Sequence, residues 1–359
     1  MSTKITVLSG FGAKAAAAIL IHSEDVRILL DAGANLEPGL DKGWDYPDNL
    51  DAIIISHDHT DHCHGLQDLT EHVPVYATAS VAQQLPDNAN IKLNIKALPL
   101  KGSINIAGIE VSVGQAGHSL AGIWIHLAIA GGVFYSGDFS LESQLFPFDQ
   151  PPPAQTVLLD ASYGLYQTSA ETAKQELLQL LATDRLILLP VPPSGRALEI
   201  ALWLEQWGIN DWQLGPCCLT PEQAQLLPNE LFSAQARQQF SQIIDNSDDR
   251  AKIFICGDAD GTGGEALRLM QEYGDQLFTI YTGYLPSKAQ DDVKSGRAAC
   301  VRWNVHPRQQ DLAQLIDQLQ AKRCLPLFCQ IDDQQYWRDS ISERLIFTTH
   351  IQVNHAVNP

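Results

Sequence analysis

No stretch of this chain stays apolar for the roughly 20 residues a helix needs to cross a bilayer, so no helical membrane span and no membrane partner are expected. Cysteine is scarce, 7 in 359 residues, odd in number and scattered. A disulfide-stapled secreted scaffold is thereby excluded, and a reducing cytoplasm is the expected location. Cys217 and Cys218 are adjacent, which is not zinc-knuckle spacing, and most of the cysteines are expected to be small core residues. Basic residues are also few: 23 Lys and Arg stand against 42 Asp and Glu, a formal charge of −19. The deficit is general, with 7 basic against 18 acidic residues in 1–165 and 16 against 24 in 166–359. By charge alone neither half is a nucleic-acid binder. No internal repeat or low-complexity tract is visible. The opening MSTKITVLSGFGAKAAAAILIH carries one lysine before a short small-residue run and leads straight into a charged strand pattern. It is expected to be mature protein and not a signal peptide.

What is present, 45% hydrophobic and 18% charged residues, belongs to an ordinary globular protein, and the length calls for two lobes. Short β-rich runs fill the first part: KITVLSG, AAAAILIH, VRILLDAG, AIIISH, VPVYATA, IEVSVGQAGH, GIWIHLAIA and GVFYSGD. They read as strands of a layered sheet, with GLQDLTEHV and ASVAQQLP as helices. Pro151, Pro152 and Pro153 mark a connection that can be neither helix nor central strand. From about Ser169 apolar strands alternate with helical patterns, which implies a parallel sheet covered on both faces. The expectation is an α/β protein, a sandwich core over 1–165, an inserted α/β lobe over 166–300 and a return to the core over 301–359.

The chemistry-bearing feature is Ser56-His57-Asp58-His59-Thr60-Asp61-His62, directly after the apolar strand AIIIS. A loop at a strand end puts its side chains at the rim of a sheet, where α/β folds hold ligands. His57 and His59 can point to one side and Asp61 and His62 to the other, which suits two neighbouring metal ions. His118 and Asp138 follow two further strands at Gly-containing turns, and a carboxylate there could bridge two ions. A solvated His-rich loop would not place four ligand-type residues in six positions with two more at strand ends. His64 and His72 are taken as structural.

At this point the chain resembles the metallo-β-lactamase-fold hydrolases. HDHTDH (57–62) matches their HxHxDH signature; ILLDAG with Asp31, GH at 117–118 and YSGDF at 135–139 resemble further motifs in the same order. The resemblance implies a four-layer αββα sandwich, two zinc ions with manganese as an alternative, and metal ligands His57, His59, Asp61, His62, His118 and Asp138. Asp61 also counts among the catalytic residues, and Asp31 would brace the metal loop without being a ligand.

Downstream, LLDASYG (158–164), PPSGRALEIALWL (192–204), ICGDADGTGGEAL (255–267), IYTGY (280–284) and WNVHPRQQDLAQLI (303–316) resemble motifs of the β-CASP subgroup, which cleaves RNA or DNA. That likeness makes His306 the proton donor to the leaving oxygen and Asp160 its orienting partner. It also implies cleavage of phosphodiester bonds in RNA or single-stranded DNA by a metal-activated water, in the manner of RNA-processing enzymes or ligase-associated exonucleases. Ser194 and Gly195 at a helix start could offer N–H groups to a phosphate, with Arg196 as a charge clamp, or could be a plain N-cap. Departures from the pattern are clear. The subgroup's last metal-binding histidine has no counterpart in LPLFCQIDD (325–333), where Cys329 or Gln330 takes its place, and Asp258 and Asp260 make the Gly-rich loop acidic. Nucleic acid is the expected substrate partner with the charge set against it, and a homodimer is left open. The alternatives are a zinc hydrolase of a small ester, thioester or phosphodiester, and a non-catalytic scaffold of the same fold.

Overall fold

A computed structural model of the chain describes all residues except Met1, Pro38, Pro193, Ser194, 241–242, 244–250, Tyr284, Pro286 and 355–359. Chain packing divides it into two units. The first comprises Met1–Leu141, Phe148–Gln167 and Val305–Pro359; the second comprises Glu142–Pro147 and Thr168–Asn304.

The first unit opens with strands β1 (Ser2–Ser9), β2 (Ala18–Ser23), β3 (Val26–Leu30), β4 (Ala52–Ile54), β5 (Pro74–Thr78) and β6 (Asn94–Leu98). Next come β7 (Gly102–Ile106), β8 (Ile109–Gln115), β9 (Ile123–Leu127), β10 (Val133–Tyr135) and β11 (Thr156–Asp160). In the second unit lie β12 (Leu186–Pro190), β13 (Trp212–Leu214), β14 (Ile253–Cys256), β15 (Leu277–Tyr281) and β16 (Ala298–Cys300). The chain then returns with β17 (Arg323–Leu327) and β18 (His350–Asn354).

Two mixed sheets form the first unit, ordered β18-β1-β2-β3-β4-β5-β6 and β17-β11-β10-β9-β8-β7. Each thus has one edge strand supplied by the returning segment. Their facing sides share one apolar core: Ile5, Ile19, Ile28 and Ile54 of the first sheet meet Val111, Ile125, Leu158 and Leu325 of the second. The outer face of the first sheet is covered around Leu29, Ile53, Leu66 and Trp44. The outer face of the second is covered by Leu312, Leu315 and Ile316 of the helix Gln309–Gln318. This is the αββα order, and it follows from patterning. β4 reads AII with every residue buried, as a central strand must. β8 keeps Glu110 outward and Val111 inward, as a strand with one wet face does.

Local differences from the sequence reading have identifiable causes. GLQDLTEHV is not an α-helix but a short 3-10 turn, His64–Asp68. Gly65 lies so close to the chain leaving β3 that an added Cβ would stand 2.7 Å from the Ala32 carbonyl oxygen, and this contact fixes a tight path. ASVAQQLP shortens to one turn, Ala79–Ala82. Strands β6 and β7 leave little trace in the sequence, because they are sheet edges with mostly exposed or half-exposed residues and carry little apolar signal.

The second unit is a five-strand parallel sheet ordered β13-β14-β12-β15-β16. Its strands are apolar runs such as LILLP, interleaved with helices, as the alternation predicts. The helix Arg196–Gln206 is buried from Ala197 through Leu204. Glu199, within it, gathers the short segment 142–147: its Oε1 accepts from Ser143 Oγ (2.7 Å) and Gln144 N (2.9 Å), and its Oε2 accepts from Trp303 Nε1 (3.0 Å). Among the described residues no helix is long and apolar enough to cross a membrane.

Candidate metal centre

The loop after β4 is pinned on both sides by backbone hydrogen bonds. Ala17 N donates to the Asp61 carbonyl (2.7 Å), and Ala32 N to that of His62 (2.9 Å). Gly33 makes this approach possible, since a Cβ there would fall 1.9 Å from the Asp61 oxygen. The loop then winds into one helical turn, Thr60–Cys63, which carries Asp61 and His62 inward.

Beneath it sits Asp31, wholly buried. Its Oδ1 accepts from Ser56 N (2.7 Å). Its Oδ2 accepts from Ser56 Oγ (2.7 Å), His62 Nδ1 (2.7 Å) and Tyr135 OH (2.6 Å). With its own proton committed to Asp31, the Ser56 hydroxyl accepts from His57 Nδ1 at 3.0 Å. His118 Nδ1 donates to the Val305 carbonyl at 2.6 Å. The His57 and His118 rings are therefore fixed in the tautomer that turns an unprotonated Nε2 toward the centre, as metal-binding histidines are held by outer hydrogen bonds. His62 differs: its Nε2 lies 3.2 Å from Asp138 Oδ1, and against its burial Asp138 and Asp61 hold it well above the usual histidine range. Asp31 thus braces the loop and, through Tyr135, ties it to β10.

Among the described residues, three groups of side chains are close enough to share an ion. They are His57, His59, His118 and Asp138; Asp61, His62 and Asp138; and Asp138, Asp160 and His306. All eight residues lie in the first unit, with Asp138 common to the three groups. In the first group His118 Nε2 is 3.1 Å from His59 Nδ1, and Asp138 Oδ2 is 3.7 Å from the Nε2 atoms of both His57 and His118. Ligand atoms placed tetrahedrally at about 2.0–2.2 Å from an ion stand about 3.4 Å apart, and the observed separations bracket that value. His57 Nε2 is sealed from water yet makes no hydrogen bond, an arrangement that costs stability unless something else occupies its lone pair. The first group thus fits a divalent cation.

The electrostatics agree with this donor set. Burial, reinforced by the neighbouring His62 and His59, holds His57 well below the usual histidine range and so in its neutral, donating form. Burial would push Asp138 up, but Lys14 and His62 outweigh it and keep the carboxylate ionised. For Asp61 the same contest, burial against Lys14 and His62, settles at about 2.

His306 stands at the rim, its side chain 12% exposed. Its Nδ1 is 2.7 Å from Asp160 Oδ2 and 3.7 Å from Asp138 Oδ2. Asp160 is in turn held by Ser162 N on Oδ1 (2.8 Å). The ring of Tyr163 packs edge-on against His306, with centroids 4.9 Å apart.

Two residues at the centre escaped sequence reasoning. Lys14 Nζ lies 2.8 Å from Asp61 Oδ2, 3.7 Å from Asp138 Oδ2 and 3.4 Å from Ser162 Oγ. Burial would lower its pKa, but Asp138 and Asp61 hold it above the usual lysine range. The available signal was a single charge in FGAKAAAA, poised at the entry to β2. Phe328 is the other: its ring, and not Cys329 or Gln330, faces the centre, 5.3 Å from the His62 ring and 5.3 Å from Lys14 Nζ. Cys329 is turned into the apolar cluster outside the second sheet, and burial pushes its thiol up to about 12. It belongs to none of the three groups. Gly195 and Arg196 lie in the second unit, at the start of the helix Arg196–Gln206, and Ser194 lies outside the described residues. Gly195 is the N-cap, with φ 118°.

Comparison with known proteins gives the class. Residues 26–163 match the Beta-lactamase superfamily domain. The αββα sandwich of the first unit is thus of the metallo-β-lactamase type, and the parallel five-strand unit is a lobe inserted into it, as in a β-CASP-like architecture. Among individual relatives, it is 30% identical over 252 residues to the transcription termination factor FttA of Methanothermobacter thermautotrophicus, covering 57% of this chain and 40% of that protein. FttA of Methanocaldococcus jannaschii is 28% identical over 248 residues, covering 56% and 39%. The chain therefore spans about two fifths of the length of these relatives. A crystal structure of a protein of unknown function from Enterococcus faecalis superposes with TM-score 0.62 and 14% identity, covering 98% of this chain and 100% of that one. It shares the fold.

Proposed function

We propose that this protein is a metal-dependent hydrolase that cleaves phosphodiester bonds in RNA or single-stranded DNA, with zinc as the metal and manganese as the alternative. One observation carries the reading: a histidine–carboxylate pair, His306 and Asp160, abuts a buried cluster of metal-type ligands through Asp138. His57, His59, His118 and Asp138 would hold the cation. When bound, a divalent cation there supplies a water of lowered pKa and positive charge for the phosphoryl oxygens.

The chain's own residues do the rest. Asp160 accepts from His306 Nδ1 and so aims the opposite nitrogen away from the cluster, where a protonated ring can pass its proton to a departing oxygen. Tyr163 restrains the ring on one side. Kinship with a transcription termination factor supports a polynucleotide substrate. The charge of −19 favours a second reading, hydrolysis of a small phosphodiester, ester or thioester, because tracking a phosphate chain calls for Lys and Arg.

Labelled single-stranded RNA, single-stranded DNA and bis-(p-nitrophenyl) phosphate tell these apart. Cleavage of either polymer, lost in His306→Ala, supports the proposal. Turnover of the small diester with both polymers intact transfers it to the second reading. A folded protein that binds no metal and turns over nothing would be a scaffold.

A further inference from the structure

We propose that Lys14 takes the place of a second metal ion, so that the centre binds one divalent cation, on His57, His59, His118 and Asp138, beside a fixed ammonium group. The inference rests on the metal-binding reading above and deepens it.

Its basis is the second group of ligands. Asp61, His62 and Asp138 converge as a second ion would require, but that place does not fit one as it stands. Lys14 Nζ is already at 2.8 Å from Asp61 Oδ2 and 3.7 Å from Asp138 Oδ2, the two carboxylates such an ion would use. A lysine ammonium is a compact point charge with three donors, and Ser162 Oγ offers it a further acceptor at 3.4 Å. The opposite wall is aromatic. The Phe328 ring lies 5.3 Å from Nζ, within the distance at which a ring face attracts a cation, and it presents no lone pair to a metal.

Both features are built into the backbone. Phe328 N donates to the Gly10 carbonyl at 2.7 Å, and Gly10 leaves room for the ring, since a Cβ there would stand 2.6 Å from it. The same stretch of chain runs on through Lys14 to Ala17, whose N–H is bonded to the Asp61 carbonyl. One segment thus supplies the glycine that seats Phe328 and the lysine that neutralises Asp61. Ammonium and dication are mutually exclusive here, because a second ion on Asp61 and Asp138 would have to expel Lys14 from its ion pairs with the same two carboxylates.

Metal stoichiometry tests this. The full-length protein is stripped with a chelator, titrated with zinc by calorimetry and assayed for bound zinc by mass spectrometry after desalting. About one zinc per chain is expected for the native protein and about two for Lys14→Ala. Lys14→Met, which keeps the length and removes the charge, should also take up about two and serves if the alanine variant does not fold. Phe328→His combined with Lys14→Met should bind the second ion at least about tenfold more tightly than Lys14→Met alone. Two zinc ions on the native protein would overturn the inference and leave the proposed function standing. One zinc on both folded Lys14 variants would also overturn it. No zinc on the folded native protein would remove the inference and the metal-dependent function together.

Discussion

Removing the charge of Asp31 should cost both stability and metal. Asp31 is completely buried and accepts four hydrogen bonds of 2.6–2.7 Å, from Ser56 N, Ser56 Oγ, His62 Nδ1 and Tyr135 OH. In Asp31→Asn the outline is kept, but one carboxylate oxygen becomes an NH2 that faces donors. If the amide oxygen serves the Oδ2 side, the Ser56 N–H is left opposed. If it serves the Oδ1 side, three donors are. Bonds to a charged acceptor contribute about 1.5–3 kcal/mol each against about 0.5–1.5 for neutral ones, and an orphaned buried donor costs about 1–3. Three weakened bonds and one orphan, or one weakened bond and three orphans, share one network and so do not simply add; the loss is about 3–5 kcal/mol. Urea denaturation with chelator present, so that metal loss does not contribute, measures it. Zinc content without chelator should fall in parallel, because His62 and, through Ser56, His57 lose their orienting partner. A change below about 1 kcal/mol with full zinc content would refute Asp31 as the brace of the loop.

Other perturbations act on single links. His306→Ala should slow hydrolysis about 10²–10⁴-fold with zinc content unchanged, and Asp160→Asn should follow it in the same assay; an unchanged rate removes the pair from proton transfer. His57→Ala should abolish zinc binding at the first group, read by mass spectrometry, since it deletes one of four converging ligands. Ellman's reagent should label Cys217 and Cys300, the exposed thiols, in the folded protein and reach the buried Cys63, Cys218, Cys256, Cys324 and Cys329 only after denaturation; rapid labelling of Cys329 would contradict its place in the core. Glu199→Ala should destabilise the second unit by about 2–4 kcal/mol, because Ser143, Gln144 and Trp303 lose their shared acceptor; an unshifted unfolding midpoint would contradict that.

Much of the fold was legible because periodicity reports burial. AIIIS and GVFYSG carry enough apolar residues to identify central strands, and candidate ligands stand at their ends. The edges β6 and β7 were not legible, since a strand exposed on one or both sides lacks that signal. Within the site, HDHTDH was conspicuous through density of ligand types, and His118, Asp138, Asp160 and His306 through resemblance. Lys14 and Phe328 were invisible for a different reason. Their meaning lies in a meeting of two segments more than 300 residues apart in the chain, and neither residue type signals a metal site. Counting along LPLFCQIDD placed Cys329 or Gln330 where a ligand was expected. The strand ends at Leu327, and the next residue, Phe328, turns into a positive φ of 62° that directs its ring to His62.

The whole account depends on a cation held by the first group of ligands. Crystals grown with zinc and measured on both sides of its absorption edge would locate that ion directly. The expected result is an anomalous peak about 2.0–2.2 Å from Nε2 of His57, Nε2 of His118, a ring nitrogen of His59 and a carboxylate oxygen of Asp138. A folded crystal with no peak there, or with zinc only on surface histidines, would contradict it.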